Sequence, residues 1–210
     1  MSTQLVYVHD PMCSLCWAFR PVYDQLEDQQ PAGIRLQRLL GGLAADTDEP
    51  MPQNLREYVQ NHWRTIQTTV PGTQFNFDFW KLCRPRRATW PACRAVIAAR
   101  KQGDDYDDTM TRAIQHAYYL DARNPSEHAT LIELAIECGL DERKFAADLA
   151  EPQTSLLLET EIATSRNLGL VGFPSLALCM NGAVNPVPVD YHDSSPMLEV
   201  INLKFLPLSP

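Results

Sequence analysis

Nowhere in the 210 residues does an apolar run approach the ~18 residues that a membrane-crossing helix needs, so no transmembrane anchor is expected. Basic side chains are in the minority, 18 against 26 acidic, and the net charge of -8 argues against broad affinity for nucleic-acid phosphates or anionic lipid surfaces. The first residues lead directly into a strand-like run, with no basic segment, long apolar stretch or cleavage signal of a secretory leader. A cytoplasmic location is therefore expected. Internal repeats and low-complexity linkers are lacking too, which leaves one large domain or a core domain carrying an insertion. A second CxxC and any HxxxH are missing, so the usual ligand set of a structural zinc site is incomplete and no metal is expected. In a reducing cytosol the six cysteines are not expected to form a disulfide framework. The 45% of hydrophobic residues supplies core enough without one.

What is present is Cys13-Ser14-Leu15-Cys16-Trp17, directly after the apolar run Leu5-Val6-Tyr7-Val8. Two cysteines three apart, where a strand gives way to a helix, can close and reopen a short disulfide. The helix N-terminus turns its free N–H groups and partial positive charge toward the first sulfur, and the thiolate is the attacking species in disulfide exchange. Cys13, at the helix tip and nearer solvent, is the expected nucleophile. Cys16, one turn in and buried, is expected to resolve the mixed disulfide.

Three regions follow from patterning. A strand over 4–8, a helix marked by Phe19, Val22, Tyr23 and Leu26, and a second apolar run over 34–40 punctuated by Gly41-Gly42 make a βαβ unit with parallel, right-handed pairing. Residues 50–169 read as almost wholly helical. Leu55, Val59, Trp63, Ile66 and Val70 share one face, Thr89-Trp90-Pro91 starts a helix that runs to Gly103, Asp104 caps the next, and Ser126 and Asp141 open two more. A last inserted helix runs from about Pro152 to Leu168. Strand character returns over 175–180, Asn181-Gly182 is a hairpin turn, and 183–189 is the partner. Pro186 and Pro188 put that partner at a sheet edge. A final helix covers 195–205. The predicted architecture is an α/β thioredoxin fold: residues 1–45 and 170–210 form the thioredoxin domain, and 46–169 form a large all-helical insertion between the βαβ and ββα units.

Gly172-Phe173-Pro174-Ser175 suits an X-Pro turn before a strand, and the strand order brings it beside the CxxC. The free backbone of Phe173 would then face the nucleophile, where a substrate peptide or glutathione can pair with it. Together with Val8-His9-Asp10-Pro11-Met12-Cys13-Ser14-Leu15-Cys16-Trp17 and the helical segment between, this turn resembles the DsbA family of thioredoxin-fold oxidoreductases, in its signal-less, FrnE-like branch. The resemblance covers essentially the whole chain. It implies a cis Phe173–Pro174 bond, the helical insertion over the site and the cysteine roles above. It also implies protein or low-molecular-weight thiols and disulfides as partners, and recycling by a thioredoxin or glutathione system. No cofactor is expected beyond glutathione as a co-substrate, and a homodimer is left open. Ser14-Leu15 departs from the periplasmic members, which place a histidine beside the thiolate.

Other residues carry weaker readings. The basic stretch Lys81, Arg84, Arg86, Arg87, Arg94, Arg100, Lys101 contains no acid. It is either a face balanced by neighbours such as Asp104, Asp105, Asp107 and Asp108, or it turns Arg84 or Arg87 into the cleft to bind a carboxylate. Trp17 and Phe19 read as core or cleft wall, and Trp17 is assigned to the substrate-binding side. Asp10 reads as a turn residue rather than a proton carrier. Phe75, Phe77 and Phe79 read as packing under the insertion rather than a lid. Cys138 and Cys179 read as inert core thiols, and Cys83 with Cys93 as a candidate second redox pair. Two competing functions remain at this level. One is a glutathione-dependent transferase or isomerase resembling the kappa-class relatives of the fold, in which Cys16 is dispensable. The other is a non-enzymatic binding module.

Overall fold

A computed structural model describes residues 3–205. Its order is β1 (Gln4–His9), α1 (Ser14–Gln29), β2 (Arg35–Leu40), α2 (Gln53–Thr69), α3 (Phe79–Leu82), α4 (Trp90–Arg100), α5 (Tyr106–Tyr119), α6 (His128–Glu137), α7 (Glu142–Ala150), α8 (Pro152–Asn167), β3 (Ser175–Met180), β4 (Ala183–Val187) and α9 (Ser195–Phe205). The sheet runs β2-β1-β3-β4. β1 pairs parallel with β2 and antiparallel with β3, and β3 pairs antiparallel with β4. This is a thioredoxin fold with a helical insertion between β2 and β3. No described helix is long and apolar enough to cross a membrane.

Alternation along β1 splits the sheet's two faces. Leu5 and Tyr7 meet Phe19, Val22, Tyr23 and Leu26 of α1 and Met197 and Ile201 of α9. Val6 and Val8 meet Leu39, Ala177 and Leu170 on the other face. A third cluster joins Met12, Ala18 and Leu40 to the inserted helices. Its aromatic centre is Trp63, which stacks on Phe75 with ring centroids 4.9 Å apart and touches Phe77, Phe79, Trp80, Tyr118 and Tyr119. The three phenylalanines are therefore packing, not a lid.

Three local expectations are corrected. Asp104 does not cap α5, whose N-cap position is Asp105 with no side-chain cap bond. Its start is instead a tight turn, closed by the Tyr106 N–H to the Gly103 carbonyl. Ser126 does not open α6, since its hydroxyl is buried against the Ala88 carbonyl at 2.7 Å and the helix begins at His128. The hairpin's second strand ends at Val187, before Pro188 and short of residue 189. The cap at Asp141 holds, its carboxylate accepting the Lys144 N–H at 2.8 Å.

Candidate functional site

Cys13 closes the turn out of β1. Its N–H donates to the Asp10 carbonyl at 3.0 Å, its backbone is extended, and it occupies the N-cap of α1. Its Sγ accepts the Cys16 N–H at 3.4 Å, standing where a serine or aspartate oxygen caps an ordinary helix. Both cysteines are free thiols. Cys16 is fully buried, whereas Cys13 keeps 7% exposure. Burial lifts the Cys16 thiol well above its ordinary pKa, and the adjoining Cys13 thiol lifts it further. The Asp10 backbone N–H pulls the other way. Cys13 is thus more covered than a helix tip suggests, because the 171–173 turn folds across it.

That turn contains a cis Phe173–Pro174 bond. The Phe173 carbonyl lies 3.6 Å from the Cys13 Sγ and accepts from it. The Phe173 ring lies over Gly41, where an added Cβ would come within 1.8 Å of the ring's Cε1. Gly41 is therefore part of the site, although the doublet Gly41-Gly42 reads in sequence as strand punctuation.

A cleft of about 300 Å³ opens over Met12, Cys13, Leu15, Tyr58 and Phe173. Arg87, His62 and Tyr118 bring polar groups to it. Of the basic stretch, Arg86 pairs with Asp48, Arg94 with Asp46, and Arg100 with Asp107 and Glu161. Arg87 belongs to none of these pairs and lines the cleft. Arg84 does not: it is exposed and outside the lining. The segment is bridged at Arg86 to Pro50, and side chains alternate along such an extended stretch, so Pro85 and Arg87 share the inner side.

Trp17 is also displaced from its expected place. Its ring lines a separate groove of about 690 Å³ between α1, the segment after α2, α5 and Tyr191-His192, which contains neither cysteine. It stacks on Tyr119 at 5.6 Å, meets His116 edge-on at 5.5 Å, and its Nε1 donates to the Gln74 carbonyl at 3.0 Å. The indole thus bridges α1 to the insertion instead of facing the Cys13 cleft.

Asp10 does more than turn the chain. Its carboxylate accepts the Met12 N–H, but it is fully buried and also reaches the insertion. Cys93 is buried against Asp10, with Sγ to Oδ2 at 3.4 Å, while Cys83 donates to the Ala122 carbonyl at 3.0 Å. The two thiols of the candidate second pair thus turn to different partners. Cys138 and Cys179 are half-buried, and burial raises both thiols' pKa. Groups of three or more metal-ligating side chains are absent among the described residues.

A thioredoxin family model matches residues 6–192. Among curated proteins, the ClpXP adapter protein SpxH of Halalkalibacterium halodurans is 25% identical over 163 residues, which are 76% of this chain and 53% of that protein. The chain spans about half the length of the curated relatives it matches. Among solved structures, a candidate protein disulfide isomerase of Nitrosomonas europaea aligns over all of both chains with a TM-score of 0.84 at 23% identity. The cytosolic disulfide reductase DsbM of Pseudomonas aeruginosa aligns over 96% of this chain and 98% of its own, with a TM-score of 0.76 at 25% identity. It has also been solved with GSH.

Proposed function

The chain belongs to the thioredoxin family, and on that premise we propose that it is a DsbA-like thiol–disulfide oxidoreductase acting through Cys13 and Cys16. The observation that carries this reading is the triad of sulfur, helix and turn. The Cys13 Sγ caps α1 beside the buried Cys16 and within 3.6 Å of the Phe173 carbonyl. The Cys13 thiolate attacks one sulfur of a disulfide, the other partner leaves as a thiolate and takes a proton, and a mixed disulfide remains on Cys13. Cys16 then attacks the Cys13 sulfur, the second partner leaves as a thiol, and a Cys13–Cys16 disulfide is left. Two external thiols reverse the steps and restore the dithiol.

In a reducing cytosol the dithiol form predominates and net disulfide reduction follows from the poise of the compartment. The name of the Pseudomonas aeruginosa protein, a cytosolic disulfide reductase, supports that direction and location. Glutathione is the co-substrate we favour. Arg87 offers a guanidinium with no acidic partner among the described residues, at a distance from Cys13 set by a cleft of about 300 Å³, and a carboxylate of glutathione is its natural complement.

The test is a trap. Cys16→Ala incubated with glutathione disulfide is expected to accumulate a stable Cys13–glutathione adduct by intact mass, and the native chain is expected to end instead as the Cys13–Cys16 disulfide, turning over only when a thiol reductant is supplied. Arg87→Ala is expected to raise the KM for glutathione disulfide about tenfold, since a charge-assisted bond is worth ~1.5–3 kcal/mol. Full turnover by Cys16→Ala would favour glutathione-dependent chemistry that needs no resolving cysteine, and would overturn the exchange reading.

A further inference from the structure

In a chain with 26 acidic residues against 18 basic ones, the cleft over Cys13 has no acidic side chain in its wall. Its guanidinium is Arg87, and the segment that carries it is tied down on both sides. The Met51 N–H donates to the Pro85 carbonyl at 2.8 Å, Arg86 pairs with Asp48, and the Thr89 N–H donates to the Ala44 carbonyl at 2.9 Å. Tyr118, on the last turn of α5, reaches the same cleft. It is only 6% exposed, yet its hydroxyl has no hydrogen-bond partner among the described residues. Three rings clamp it in place: Phe79 edge-on at 4.7 Å, Trp63 edge-on at 5.5 Å and Tyr119 at 4.5 Å. A side chain so packed cannot swing out to find water, and a buried hydroxyl without a partner is costly. Burial raises the Tyr118 pKa, the positive charge of Arg87 works against that rise, and Asp10 and Cys83 add to it. The phenol is thus a fixed donor at neutral pH, close enough to a permanent cation to feel it.

We propose that Tyr118 is a substrate-binding residue: its hydroxyl and the Arg87 guanidinium, both supplied by the insertion, form a two-point seat for one carboxylate of a low-molecular-weight disulfide whose sulfur lies against Cys13. The inference rests on the exchange reading and deepens it, because it names the class of disulfide that the cleft selects. A carboxylate has lone pairs enough to accept from both donors at once, and each bond is charge-assisted. Neither donor has a competing partner in the folded chain, so both are free for a ligand. The cleft, about 300 Å³, lies at the small end of ligand-binding cavities. Its carboxylate must therefore be carried on a short arm from the reacting sulfur, which glutathione disulfide offers on each half. Exchange then proceeds with the electrons balanced: the dithiol gives up two electrons and two protons, the Cys13–Cys16 bond forms, the glutathione S–S bond breaks, and two glutathione thiols leave.

The measurement is single-turnover oxidation of the reduced chain, stopped by acid and alkylation and read by intact mass, with two oxidants. One is glutathione disulfide and the other is 2-hydroxyethyl disulfide, which has no carboxylate. Tyr118→Phe keeps the clamped ring and removes only the hydroxyl. It is expected to raise the half-saturating concentration of glutathione disulfide about tenfold, with the limiting rate and the reaction with 2-hydroxyethyl disulfide unchanged. Arg87→Ala is expected to do the same. The double variant is expected to lose clearly less than the product of the two, because both residues hold one group. Native behaviour of Tyr118→Phe toward glutathione disulfide, an equal loss with both oxidants, or losses that multiply in the double variant would each overturn the inference while leaving exchange intact. A native chain whose Cys13–Cys16 pair is oxidised by neither disulfide overturns the exchange reading itself.

Discussion

Gly41 is not selected for backbone freedom, because it does not have positive φ, in contrast to its neighbour Gly42 at +61°. It is a space requirement. The Phe173 ring fills the volume that a side chain would take, and the backbone of the same residue supplies the carbonyl facing Cys13. Gly41→Ala must push the ring and, with it, the turn. A displacement near 1 Å of a reacting surface costs about tenfold to a hundredfold in rate. Turnover of glutathione disulfide is expected to fall by that factor in Gly41→Ala while far-ultraviolet circular dichroism stays native. An unchanged rate would show that the turn can shift without consequence. Arg87 is separated from Arg84 at the same scale: the sequence presents two equivalent arginines, and the alternation of an extended segment gives only one of them to the cleft.

Among the helices, the ends differ in what holds them. α1 is capped by a cysteine sulfur, α4 by a threonine whose hydroxyl is committed elsewhere, and α7 by an ordinary carboxylate. The last is a clean control. Asp141→Ala removes the bond to the Lys144 N–H and is expected to lower stability by about 1 kcal/mol. That corresponds to ~2–4 °C in Tm at this chain length. Exchange activity at 25 °C is expected to remain native, because α7 supplies no residue to the cleft. A loss of activity in parallel with Tm would mean that α7 contributes to the site through the insertion's core. In α1, patterning places Trp17 on the face that follows Cys13, one turn on. Which groove that face meets depends on where α5 and the segment after α2 pack.

Across the whole molecule the thioredoxin part and the insertion are joined by buried polar groups as well as by apolar packing. Arg20 of α1 meets Asp108 of α5 at 2.7 Å and Gln115 at 3.2 Å, and Arg112 meets Asp24 at 2.8 Å. Glu161 of α8 accepts the Leu40 N–H of β2 at 2.7 Å while pairing with Arg100. His9, at the end of β1, is buried beside this network and stacks on Tyr7 at 4.9 Å. Burial, and then Arg20, Arg38 and Arg100, lower its pKa from 6.5 to about 3. The folded state therefore binds fewer protons at His9 than the unfolded chain between these values. Stability from this group is complete above pH 6.5 and drains away as pH falls toward 3, by about 1.4 kcal/mol per unit at most. Asp10 and Glu161, raised by burial, act in the opposite sense over the carboxylate range. The comparison to make is thus native against His9→Phe, which keeps the stack on Tyr7. Urea midpoints are expected to fall more steeply with acid in the native chain between pH 6.5 and 4, and parallel curves would show that His9 is protonated in the folded state.

Much of this was legible from neighbours in the chain. The alternation of Leu5 to Val8, the helical spacing from Phe19 to Leu26, the Asn181-Gly182 turn and the Cys13–Cys16 pair at a strand-to-helix junction are local facts. Backbone sterics and side-chain periodicity convert them into elements without knowledge of the rest. The order of those elements then leaves few ways to build a right-handed sheet, which is why the thioredoxin fold could be read before any packing was known. The sequence could not say that Asp10 is buried under the insertion, that Gly41 houses the Phe173 ring, that Arg87 rather than Arg84 lines the cleft, or that Trp17 belongs to another groove. Each depends on contacts between residues far apart in the chain, 79 positions for Thr89 and Asp10 and 160 for Cys13 and Phe173. Such contacts exist only once the core has closed and the burial of each group has been decided by everything packed around it.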